Sequence, residues 1–250
     1  MLSYLEYLSH LDADAHLLAA AAARGLDADV PGCPDWTLRD LVIHTAEVHT
    51  QKAEIVERGL VDEWPPHSTL PDGTDPLDWY RAGADRLFRV LAAADPAAAA
   101  KTWADEQTVG FWIRRMAQET VVHRVDAEQA HGYESAIDPD LAADGIAELF
   151  DVFITGYPTW GNYAPDDAVV RIETGDRSWT VRLGRFTGSK GGKDYDLPTT
   201  VLEDGAEPNA VISGPSDRVL LWMWGRAPLE DVTVAGDVDL AHRLREVCSI

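Results

Sequence analysis

Apolar residues recur at helical spacing through the first 160 positions, and the pattern then changes to short β-branched runs between glycines. Tyr4, Leu8, Leu11, Ala15, Leu18 and Ala22 form one stripe and predict a first helix over about Ser3–Arg24, stopped at Gly25. After the loop DADVPGCPDW, Thr37 reads as an N-cap with Asp40 in the capping-box position, opening a second helix to about Arg58 and Gly59. Asp75-Pro76 and Asp138-Pro139 each read as N-cap plus first helical residue, opening a third and a fifth helix. The fifth carries Leu141, Leu149, Phe150 and Phe153 on its buried side. A fourth helix is predicted over about Val109–Ala130, ended by Gly132. Residues 60–74 and 95–105 read as long loops, a setting in which functional sites are often built.

Beyond Pro165, alternating segments at 168–174 and 178–183 flank a Gly-Asp pair, a hairpin signal. GSKGGKDYD reads as a flexible, locally basic loop. Strands are expected at 210–213 and 231–235, with helices from Pro215 through Trp222 and over 238–247. The fold class is therefore α+β: a helical bundle over 1–160 followed by a smaller α/β domain over 161–250.

Composition narrows the partners. The 250 residues include 21 Lys+Arg against 43 Asp+Glu, a net charge of −22. Such a surface repels phosphate backbones and acidic bilayers, so neither nucleic acid nor membrane is expected as a partner. No apolar run reaches the 18 or so residues that span a bilayer, and the acidic N-terminus lacks the basic start of a signal peptide. A soluble, cytoplasmic monomer is the expectation. Two cysteines, Cys33 and Cys248, exclude a disulfide framework or a multi-cysteine zinc knuckle.

The residues that carry chemistry are polar groups on apolar helix faces. Leu41, His44, Val48 and Ile55 share a face of the second helix. On the fourth, Trp112, Met116, Glu119, His123, Asp126 and Ala130 fall within about 60° of one another at 100° per residue. Glu119 and His123 are one turn apart and project together. With His44 they make a three-ligand set for a divalent ion in a bundle core, leaving one coordination position for water or substrate. Zinc suits these donors, and nickel or iron is also acceptable. An i,i+4 Glu–His pair is also common as a plain surface salt bridge. Asp126 is a candidate to orient a ligand imidazole through its other nitrogen, or else a simple capping acid. His49 lies about 140° from His44 on the helical wheel, so the two cannot face one site.

Two stretches resemble signatures of a known family. VPGCPDWTLRDLVIHTAEVH (30–49) is similar to P-x-C-P-x-W-T-x-x-D-L-x-x-H, and FWIRRMAQETVVHRVDAE (111–128) to W-x-R-R…E-T-x-V-H-R-x-D-A-E. Together they resemble the mycothiol-dependent maleylpyruvate isomerase family, and SGPSDRVLLWMWGR…VTVAGD is similar to that family's C-terminal domain. The resemblance implies a DinB-like antiparallel four-helix bundle followed by a sterol-carrier-like domain. It implies a metal, usually zinc, on His44, Glu119 and His123, and a catalytic arginine from the C-terminal domain, which matches Arg226. One departure is Gln118, where the family often has a histidine. The implied cosubstrate is mycothiol, an actinobacterial thiol. A metal-bound thiolate would attack a small electrophile, giving cis–trans isomerisation or S-transfer, and no nucleophilic cysteine of the chain is required. A metal-dependent hydrolase, or a non-enzymatic binder of metal or small molecules, uses the same triad. Lys190 and Lys193 are weaker candidates for an anion contact. Trp36, Trp112 and Trp222 sit in the matched motifs, where most tryptophans serve core packing.

Overall fold

A computed structural model of the chain describes residues 1–60 and 62–249. Val61, within the expected 60–74 loop, and Ile250 lie outside the described residues. The chain forms two compact units, residues 1–136 and 137–250.

The first unit is a bundle of four helices: α1 (Tyr4–Ala22), α2 (Leu38–Arg58), α3 (Pro76–Ala93) and α4 (Val109–Gln129). Their starts follow the caps read from sequence. Ser3 and Glu6 close a capping box on α1, and Thr37 and Asp40 close one on α2. Asp75 caps α3 ahead of Pro76, and Thr108 accepts from the Phe111 backbone at the start of α4. α1 packs mainly on α4, and α2 on α3. Leu18, Leu38, Leu41, Val42, Ala46 and Tyr80 fill one core between them.

α4 is buried on almost every side, yet it carries Arg115, His123, Arg124, Asp126 and Glu128 among its buried residues. Charged groups hold such positions only when paired. Each pairing below therefore fixes where α4 sits.

The second unit holds α5 (Pro139–Glu148), a π-helical turn (Leu149–Ile154), a five-stranded sheet, α6 (Ser216–Met223) and α7 (Val238–Val247). The strands are β1 (Asn162–Thr174), β2 (Arg177–Lys190), β3 (Lys193–Leu202), β4 (Ala210–Ser213) and β5 (Thr233–Gly236). Their order is β3-β2-β1-β4-β5, with β1 and β4 parallel and the other neighbours antiparallel. The α+β class is as expected, with a mixed sheet following four helices.

Three details differ from the sequence reading. The units divide at 136/137 rather than at 160, because the apolar face of α5 packs on α6. Phe150 of the π-turn also stacks on Trp179 of β2. GSKGGKDYD is not a loop: β2 and β3 run through it, joined by Gly191-Gly192 with φ of 62° and 78°. Two consecutive positive φ values make the primed turn that matches strand twist, and glycine adopts them without steric cost. The last strand begins at Thr233 instead of Asp231, since residues 229–231 form a 3₁₀ turn.

Candidate metal centre

The three candidate metal ligands lie on two helices of the bundle, α2 and α4. Thr37 and Asp40 set the start of α2, and His44 follows two turns later, half-buried against the Trp36 ring at 4.9 Å between centroids. α2 and α4 run antiparallel: His44 sits beside His123, with ring centroids 5.3 Å apart, while Lys52 lies over Trp112. Glu119 therefore stands between the two imidazoles. Its Oε1 is 3.3 Å from His123 Nε2 and 3.7 Å from His44 Nε2. The three donor atoms all lie within 4.8 Å of one another.

Each remaining polar atom of the pair on α4 is tied back. Arg115, one turn before Glu119 and only 3% exposed, donates to Glu119 Oε2 at 2.9 Å. His123 Nδ1 lies 2.9 Å from Asp126 Oδ2, so that nitrogen donates to the carboxylate and Nε2 is turned to Glu119. Asp126, fully buried, also accepts from Cys33 Sγ at 3.6 Å. Cys33, His123 and Asp126 form a second close donor group, but there His123 Nδ1 is already engaged by Asp126.

Electrostatics follow the contacts. Burial alone would raise the Glu119 pKa, but hydrogen bonds from His123 and His44 and the charge of Arg115 outweigh it and hold the carboxyl well below its usual range. Burial would lower His123, yet Asp126 and Glu119 together raise it to about 9. The metal-free site is thus an ion pair, with the proton on His123.

This donor set fits a divalent ion. Bonds of about 2.0–2.1 Å to a tetrahedral ion put ligand atoms about 3.4 Å apart, close to the separations here. The Asp126–His123 contact is the outer support that metal-binding imidazoles use, and Arg115 leaves Oε1 as the donor of Glu119.

Other predicted residues fall elsewhere. His49 is fully buried, 3.0 Å from Thr120 Oγ1 and beside Tyr80, and desolvation pushes its pKa down to about 4. Trp112 and Trp222 are core residues, as most tryptophans were expected to be, whereas Trp36 lies against His44. Arg226 belongs to the second unit, just after α6, where it donates to the Trp224 carbonyl at 2.6 Å. Lys190 and Lys193 close the β2–β3 hairpin, over Trp160 and Tyr195. Sequence reasoning missed Arg115, although its i−4 spacing to Glu119 was a legible signal, and it missed the placement of Cys33 against Asp126. A cleft of about 270 Å³ between α1 and α3, lined by Leu11, Tyr80 and Phe88, lies away from these residues. No helix among the described residues is long and apolar enough to cross a membrane.

The sequence profile of the mycothiol maleylpyruvate isomerase N-terminal domain matches residues 9–128, and that of the C-terminal domain of the same proteins matches 140–243. The chain belongs to the mycothiol-dependent maleylpyruvate isomerase family of enzymes. Its fold agrees. The crystal structure of the mycothiol-dependent maleylpyruvate isomerase superposes with a TM-score of 0.63 over 95% of both chains, at 13% identity. A histidine-to-alanine variant of that isomerase gives the same values. A search of curated protein sequences finds no match. The family's matched N-terminal segment contains His44, Glu119 and His123, and its C-terminal segment contains Arg226.

Proposed function

We propose that the chain is a metal-dependent isomerase that uses a low-molecular-weight thiol, mycothiol by its family, to interconvert cis and trans forms of a small electrophilic substrate. The observation that carries this reading is the convergence of His44 Nε2, Glu119 Oε1 and His123 Nε2, each backed by a fixed neighbour. A divalent ion on those atoms, zinc being the best match to two imidazoles and a carboxylate, would stabilise the thiolate form of a sulfur ligand at neutral pH.

The residues then have separate tasks. Asp126 fixes the His123 tautomer and ring plane. Arg115 keeps Glu119 ionised and prevents its carboxylate from turning. Trp36 covers one side of His44 and keeps water from that edge. In the reaction, the thiolate sulfur forms a bond to one carbon of a conjugated C=C, and the π pair moves to the neighbouring carbonyl as an enolate. Rotation follows about the new single bond. Return of the pair re-forms C=C and expels the thiolate, so the thiol is regenerated and nothing is oxidised or reduced. Arg226 is assigned to orient an anionic group through its planar fork.

Metal analysis of protein purified without chelators should find about one divalent ion per chain, and mycothiol should bind the loaded protein at equilibrium. Absence of stoichiometric metal, or turnover that does not depend on thiol, would defeat the proposal. Arg226→Ala should keep its metal and lose about 10–100-fold in kcat/KM, the range for a hydrogen bond to a charged group. Metal loss in that variant would make Arg226 structural instead.

A pH dependence follows from the ion pair. His123 carries its proton up to about pH 9 in the metal-free protein, so an incoming ion must displace it. Metal affinity should therefore rise about tenfold per pH unit from 7 to 9 and level off above, with about one proton released per ion at pH 7.5. Calorimetry in buffers of different ionisation enthalpy reads that proton directly. Uptake without proton release would show that His123 is not a ligand.

A further inference from the structure

Lys52 is a strongly desolvated ammonium, on the helix that carries His44, that the reaction above does not use. It lies two turns beyond His44 on α2, at the level of Trp112 on α4. Its Nζ is 5.2 Å from the Trp112 ring centre and 5.7 Å from that of Trp64, and the two indoles meet edge to face at 6.4 Å. Lys101 Nζ stands 5.5 Å from the same Trp64 ring. Among the described residues, Lys52 makes one hydrogen bond, to the neutral Gln51 Oε1 at 2.5 Å, and forms no ion pair.

The carboxylate of α4 that attracts Lys52, Glu119, is already engaged by Arg115, His123 and His44. The chain has 43 acidic residues, so a half-buried lysine left without a carboxylate is a departure from its surroundings. Burial pushes the Lys52 pKa down to about 8 even though Glu119 pulls it up. The rings therefore do not fully replace the water that the ammonium has lost. An incoming anion would.

We propose that Lys52, walled by Trp64 and Trp112, is a specificity-determining residue that receives a carboxylate of the electrophilic substrate beside the metal triad. This rests on the function proposed above, which supplies the triad as the reacting centre. A neutral electrophile would leave the ammonium uncompensated, so the seat discriminates by charge. Trp64, 41% exposed, offers an apolar face for the carbon skeleton next to that carboxylate, while the buried Trp112 backs the ammonium from the core side and keeps water from it.

The test uses the metal-loaded full chain without thiol. Maleate and its neutral dimethyl ester are titrated as probes, read by tryptophan fluorescence because Trp64 and Trp112 flank the seat. Maleate should bind the wild type, and Lys52→Met should weaken it by about 10–100-fold, as loss of a charged hydrogen bond does. Lys52→Arg should restore most of that affinity, and the diester should bind both proteins equally. No maleate binding to the wild type, equal maleate binding to K52M, or a parallel loss for the diester would overturn the assignment. Mycothiol titrated separately should bind wild type and K52M alike. Its failure to bind either protein would count against the thiol-dependent reading, while the maleate arms would still decide the role of Lys52.

Discussion

Purified His123→Ala protein should hold less than about a tenth of an equivalent of divalent metal under conditions where the wild type holds one. Loss of even an outer partner of a metal ligand typically costs about 10–100-fold in affinity, and loss of one ligand of three should cost more. The expected fall is therefore a hundredfold or greater, with thiol-dependent turnover lost in parallel. His123→Ala is cleaner than Glu119→Gln. Removing the Glu119 charge also removes the anion that Arg115, 3% exposed, donates to, so a loss of metal in that variant would mix the loss of a ligand with a weakened buried ion pair on the helix that carries the site. Asp126→Asn gives the graded case, because the amide can still meet His123 Nδ1 but no longer as an anion. Its metal affinity should fall by the smaller, outer-partner amount of about 10–100-fold. Atomic absorption on dialysed protein, with the metal-free melting temperature as a control for folding, reads all three. Full metal occupancy in His123→Ala would remove the triad from the mechanism.

Why these three side chains could be expected to converge before the fold was known is a matter of local geometry. Glu119 and His123 are one helical turn apart, and that spacing alone makes them neighbours. His44 required a second helix, but the Thr37–Asp40 capping box fixed where that helix begins and hence which face His44 occupies. The proline-led starts of α3 and α5 were legible for the same reason: a cap and a fixed φ act within three residues. What was not legible depends on long-range register. The pairing of α2 against α4 decides that Lys52 meets Trp112, and no periodicity in either helix states it. The thiol of Cys33 reaches Asp126 across 93 positions of sequence. The β2–β3 hairpin was hidden by composition, since Gly, Ser and Lys suggest a loop until two glycines are recognised as the turn itself. The division at 136/137 turns on which partner α5 packs against, a tertiary choice that its amphipathic pattern leaves open.

The largest stability effect should come from Arg124→Met, the residue that follows His123 on α4. Arg124 is 2% exposed and joins three segments of the bundle. Its Nε donates to Asp14 of α1 at 3.1 Å, and its Nη1 donates to Glu128 at 2.9 Å and to the Ser135 carbonyl at 2.8 Å. Glu128 in turn accepts from the Ser135 backbone and hydroxyl, each at 2.8 Å. Removing the guanidinium leaves two buried carboxylates facing each other, a loss of about 3–5 kcal/mol where one partner of a buried pair is deleted. In urea this should move the unfolding midpoint down by roughly 1–2.5 M, taking about 2–3 kcal/mol/M for the slope. The pH dependence identifies the cause. Desolvation already raises the Asp14 pKa above 3.8 despite the charge of Arg124. A carboxyl raised in the folded state favours folding most below its unfolded pKa, and that contribution disappears as pH rises through the folded value. Without Arg124 the folded value climbs further, so the deficit of the variant should be full at pH 7 and shrink as pH falls toward 4. Replacing Asp14 and Glu128 by leucine in the same background should recover much of the loss, because an apolar set leaves no charge unpaired. A deficit that is flat with pH, and that persists in the triple variant, would mean Arg124 acts through packing of its stem rather than through its charge.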